Sequence, residues 1–194
     1  FAGVERLALA LEAPADLSPL ARLPRLRWLE LRGKSGPLGP LAALPGLARL
    51  EVERCAGCLA AFPGLPELET LTLGLVALED AMDFRGPRHP TGDLARLQYS
   101  PNLRKLTLYG DRLSLSGIER TRVTDLTLNS LSLEALALLH DAPALERLAL
   151  TGIGRMFRGV ETEALARLTK LRVLDLSGSM VPDLAFLQGL VALE

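Results

Sequence analysis

One short phrase returns eight times along the chain: an apolar residue, two residues of any kind, Leu, one residue of any kind, then Leu or Val. It stands at Val4-Leu7-Leu9, Leu26-Leu29-Leu31, Leu47-Leu50-Val52 and Leu68-Leu71-Leu73. It continues at Leu103-Leu106-Leu108, Val123-Leu126-Leu128, Leu145-Leu148-Leu150 and Leu171-Leu174-Leu176. Successive openings lie 22, 21, 21, 35, 20, 22 and 26 residues apart. A single unit of this size cannot bury its own apolar face, so it must stack on the next one, and the chain becomes a solenoid.

Within the phrase, side chains alternate between two faces, as they do in a strand. The fourth and sixth positions then point inward, and the third, fifth and seventh point out. Glycines follow near the strand exits, at Gly33, Gly74, Gly110, Gly152 and Gly178, which marks turns. A second apolar set recurs three residues apart, as in Leu20, Leu23 and Leu26, in Leu41, Leu44 and Leu47, and in Leu187, Leu190 and Leu193. A period of three suits 3₁₀ turns. Prolines at 19, 40, 45, 63, 66 and 182 oppose long helices in the same segments. Composition agrees, with 47 Leu against 5 Phe, 2 Tyr and 1 Trp. Stacking one residue type at fixed positions needs that bias.

These phrases, and segments such as Ala15-Asp16-Leu17-Ser18-Pro19-Leu20 and Pro182-Asp183-Leu184-Ala185-Phe186-Leu187, resemble the leucine-rich repeat in its short internalin-like form of 21–22 residues. The resemblance covers essentially the whole chain. It implies an α/β horseshoe, with a parallel sheet on the concave side and 3₁₀ or short helical turns on the convex side. Its composition, biased to Leu, Ala, Arg, Gly and Pro, suggests a bacterial source. The ninth repeat position, usually Asn in this family, here carries Glu12, Lys34, Cys55, Val76, Asp111, Leu131, Ile153 and Ser179. The turns must therefore be satisfied by other groups.

Residues 1–194 read as one domain of about eight repeats, with insertions near 79–93 and 154–160. Glu161 to Leu168 has the pattern of a true helix of two turns. The chain opens on Phe1 without a polar cap at either end, so it is expected to be a fragment of a longer protein.

Several functions are disfavoured. The net charge of −1 provides no basic field for nucleic acid. No apolar run approaches the ~18 residues a membrane helix needs. Only two histidines occur, His89 and His140, on different repeats, and no nucleophile or phosphate-loop motif is present. No enzymatic activity, cofactor or metal is expected. Cys55 and Cys58 form a Cys-x-x-Cys, but no second ligand pair completes a zinc site. They read as a turn residue and a core residue in a reducing, cytoplasmic setting.

The outward positions carry the candidate site. The third position of each phrase holds Arg6, Trp28, Arg49, Thr70, Lys105, Asp125, Arg147 and Val173. The seventh includes Arg32 and Tyr109. Exposed Trp, Tyr and Arg are enriched at binding hot spots. Trp28, Arg49, Tyr109, Arg6, Arg32, Lys105 and Arg147 are therefore the expected contacts for a protein or peptide partner on the concave face. Trp28, between Arg6 and Arg49, is placed for a cation–π stack. The alternating Arg and Glu of repeats two and three read instead as a solvated ladder of opposite charges. The family resemblance suggests a recognition scaffold or, as an alternative, the sensor arm of a nucleotide-binding switch ATPase, with other domains of the same chain as partners.

Overall fold

The computed structural model describes residues 3–55, 58–59, 61–75, 94–110, 115–129, 136–139, 142, 144–151, 159–181 and 183–194. The 79–93 segment, most of the 154–160 segment, both histidines, and Val76, Asp111, Leu131 and Ile153 lie outside them. Eight strands form one parallel sheet in chain order. They are β1 (Arg6–Leu11), β2 (Trp28–Ser35), β3 (Arg49–Cys55), β4 (Thr70–Leu75), β5 (Lys105–Tyr109), β6 (Asp125–Asn129), β7 (Arg147–Thr151) and β8 (Val173–Asp175). Every strand begins on the third residue of its phrase.

One carbonyl per repeat starts the next strand. Glu5 O accepts from Arg27 N and Trp28 N at 2.8 and 3.0 Å, and Arg27 O accepts from Ala48 N and Arg49 N at 2.9 Å each. Ala48, Glu69, Arg104, Thr124 and Glu146 repeat the arrangement. Equivalent residues thereby fall side by side, as in Leu71↔Leu106 and Leu106↔Leu126. Leucine stacks on leucine, and the fourth and sixth phrase positions on β2 to β7 are 0–1% exposed. The inward residues at the two ends of the sheet, Leu7 and Leu9 on β1, Leu174 on β8 and Leu176 just after it, are only partly buried, because the end strands pair on one side.

The three-residue period also has its structural counterpart. Leu23 N donates to Leu20 O at 2.9 Å and Leu26 N to Leu23 O at 3.0 Å, and Leu41, Leu44 and Leu47 do the same. These i to i+3 bonds build 3₁₀ segments at Ser18–Arg22, Gly39–Ala43, Leu94–Tyr99, Ile118–Arg120 and Ala185–Gly189. Proline opens the first two, where its missing N–H costs nothing. The expected helix forms as α1, Gly159–Ala166, two residues earlier than the pattern suggested at each end.

Serines do part of the work of the missing turn asparagines. Ser179 Oγ donates to Leu150 O at 3.0 Å, and Ser35 Oγ to Arg54 O at 3.3 Å. Cys55 and Cys58 both pack in the core, at 1% and 4% exposure. They are joined as a disulfide, with Cα atoms 5.8 Å apart, where the sequence suggested two separate thiols. Closing a loop of three residues ties no repeat to another, so the solenoid does not depend on this bond.

Candidate functional site

The outward face of the sheet is a set of rows running across the strands. Ladder register puts Arg6 beside Trp28, Trp28 beside Arg49, and Arg49 beside Thr70. Farther along the same row stand Lys105, Asp125 and Arg147. The expected contacts thus divide into two groups on different halves of the sheet.

In the first group, the Arg6 guanidinium lies over the Trp28 ring, 4.4 Å from its centroid. The indole Nε1 donates to Glu51 Oε1 at 3.0 Å. Trp28 is therefore held on its face by a cation and at its edge by a carboxylate. The stack expected with Arg6 is present.

The expected ladder of opposite charges in repeats two and three is not what forms. Glu30 lies in register beside Glu51, so two carboxylates are neighbours. Arg32 instead pairs within its own strand, Nε to Glu30 Oε1 at 2.6 Å. The cause is a register shift between Leu31 and Lys34, which takes Arg32 out of the ladder that would have set it beside Glu53. Gly33 sits within that shift at φ 82°, and a Cβ there would stand 2.2 Å from Leu11 O. Its N–H, released from the ladder, donates to Glu53 Oε2 at 2.8 Å. Bulges of this kind re-aim side chains.

The result is an open groove of about 240 Å³ bounded by Glu30, Arg32, Glu51, Glu53, Thr72 and Tyr109. Tyr109 forms its wall. Its register partner is Gly74, and a Cβ on Gly74 would lie 2.3 Å from the Tyr109 ring and 1.9 Å from Glu53 O. Gly74, which the sequence suggested as a turn residue, is inside β4 and makes room for the ring. Burial raises the Tyr109 phenol pKa, and the charges of Glu53 and Glu51 add to the rise. The guanidinium of Arg32 is held in its charged form by the bond to Glu30, with Glu53 and Glu51 contributing from farther off.

In the second group, Lys105 Nζ is 3.9 Å from Asp125 Oδ2, and Arg147 is in register with Asp125 on its other side. That half of the row sets one carboxylate between two cations and keeps a net positive charge. The three glutamates Glu30, Glu51 and Glu53, absent from the expected contacts, are the groove's main polar groups. Their signal in the sequence was two adjacent Glu in the fifth row with a third in the seventh.

Among the described residues, no group of three or more His, Cys, Asp and Glu is placed to hold a metal ion. Among them too, no helix is long and apolar enough to cross a membrane.

The fold and its repeated register are those of a leucine-rich repeat solenoid. Solved structures with this fold include an internalin of Listeria monocytogenes, which matches 98% of the chain with a TM-score of 0.52 at 17% identity. Internalin C2 of the same organism matches 98% of the chain with a TM-score of 0.56 at 18% identity. The chain spans 65% of the first internalin's length and 79% of the second's. No protein-family model and no curated protein sequence matches the chain.

Proposed function

We propose that the chain is a protein-recognition module, not an enzyme, and that it engages a protein or peptide partner through the outward, concave face of its sheet. The observation that carries this reading is the groove region of that face. Across β2 to β5, a Trp clamped between Arg6 and Glu51 and a Tyr seated on Gly74 flank a recess of fixed carboxylates. Aromatic and Arg side chains held rigidly in this way lose little entropy on binding. The reading takes residues 1–194 as one array of about eight repeats, with 79–93 and 154–160 as insertions, and Arg49, Lys105 and Arg147 as flanking contacts.

Affinity capture from source lysate tests it, comparing wild type with Trp28→Ala, Tyr109→Ala and a convex control, Arg22→Ala. A partner lost in the first two variants and kept in the control supports the site. Full retention in all three overturns it.

The reading keeps the expected cytoplasmic placement, against which stands the Cys55–Cys58 disulfide of the structure. Alkylation of the protein taken directly from its host tests that placement. Two free thiols, on Cys55 and Cys58, support it, since cytoplasmic reductants keep such pairs open. A protected pair places the module in an oxidising compartment.

A further inference from the structure

We propose that the groove between β2, β3 and Tyr109 receives an arginine side chain presented by the protein partner. The proposal rests on the sheet-face reading above and names the chemistry of what that face holds.

The occupant follows from charge complementarity at the open groove. On β5 to β7 the outward row leans positive, with the single carboxylate Asp125 between Lys105 and Arg147. The groove on β2 and β3 has the opposite excess, although Arg49 also stands outward on β3 beside Trp28. Glu30, Glu51 and Glu53 bound the groove, and the one cation bounding it with them is Arg32. Glu30 and Glu51 are direct register neighbours, and like charges so placed weaken a sheet. An incoming cation relieves that repulsion.

The carboxylates are also fixed in advance. Arg32 holds Glu30, the Trp28 indole holds Glu51, and the Gly33 amide holds Glu53, each through one oxygen. A carboxylate has about four acceptor sites, so each keeps capacity for a further donor. Preorganised acceptors cost little to engage.

Geometry favours arginine over lysine. A guanidinium has five donors in a plane and can bridge several carboxylates at once, whereas an ammonium is a point charge. The half-buried Tyr109 ring supplies an aromatic wall on which a guanidinium can stack. Arg32 shows the fit within the molecule, with its own guanidinium 2.6 Å from Glu30.

The test uses the intact chain and a fluorescein-labelled hexa-arginine peptide, followed by anisotropy, with a hexaglutamate peptide alongside. Glu51→Gln/Glu53→Gln retains an oxygen for Trp28 and Gly33 but removes the charge. It should weaken hexa-arginine binding about fivefold or more. Glu67→Gln/Glu163→Gln, the same charge change at exposed sites elsewhere, should leave it unchanged. Arg32→Ala should tighten binding, because it releases Glu30 from its internal partner.

Equal weakening in the two double variants would show attraction to net charge only and overturn the proposal. So would preferential binding of hexaglutamate, or no binding of hexa-arginine to wild type. A partner captured by wild type, lost with Trp28→Ala and indifferent to Glu51→Gln/Glu53→Gln would remove this proposal while leaving the recognition reading intact.

Discussion

The two faces of the same eight strands obey different rules. The inward face repeats leucine on leucine at the fourth and sixth phrase positions from β2 to β7, with Val52 the exception at those positions. The outward face follows no single rule: Trp28, Arg49, Thr70, Lys105 and Asp125 differ along one row, while the next sets Glu30 beside Glu51 and runs Thr72, Thr107 and Thr127. The inward face must be dry, and any leucine at a given height meets that demand. The outward face is wet, so its composition is free to vary and can carry recognition. Stability should therefore reside in the first face and binding in the second.

The strongest way to break that comparison is Leu126→Ala. Leu126 is fully buried between Leu106 and Leu148, so the variant should lose ~2–5 kcal/mol to lost burial and a residual cavity. Leu174→Ala, on the half-covered end strand, should lose less, about 1–2 kcal/mol, since its side chain keeps access to water. Urea melts would give both values. Hydrogen exchange should show protection lost on β5 and β7 as well as β6 in Leu126→Ala, because neighbouring repeats share one core. Loss confined to β6 would contradict the coupled picture.

The inward face was legible in the sequence because it follows from one law, burial at a fixed period. Strand starts, the inward leucines and the 3₁₀ turns all follow from it. The outward face was legible only in part. Arg6 over Trp28 could be anticipated, since both lie at the same position of successive phrases. The pairing of Arg32 with Glu30 could not, because it depends on a register shift at Gly33 that phrase counting does not reveal. Gly74 shows the same limit. By sequence it resembles the turn glycines, yet its reason is the Glu53 carbonyl and the Tyr109 ring, which lie against it from the strands on either side.

Trp28→Ala probes the outward face for stability. It removes one cation–π contact and one part-buried indole hydrogen bond. Together they should contribute about 1–2 kcal/mol. If thermal or urea melts of Trp28→Ala show a loss as large as that of Leu126→Ala, the division between faces fails, and Trp28 is structural rather than a contact for partners.

The smallest expected effect is the most specific to the groove. Burial first, then the charges of Glu53 and Glu51, raise the Tyr109 pKa above its ordinary value near 10 in the folded chain. The unfolded phenol loses its proton at lower pH than the folded one. The stability this group contributes is thus fully present below about pH 10 and declines as pH rises through the folded pKa. Ultraviolet absorbance of tyrosinate, taken as the difference between wild type and Tyr109→Phe, isolates the group from Tyr99. In Glu51→Gln/Glu53→Gln the raised pKa should fall back only part of the way, because burial is the larger cause and survives the substitution. A complete return to the ordinary value would mean that the carboxylates alone set it, and that the ring is not seated against Gly74. No change at all would mean that the glutamates lie too far from the ring to share a groove with it, and the wall of the proposed arginine site would be lost.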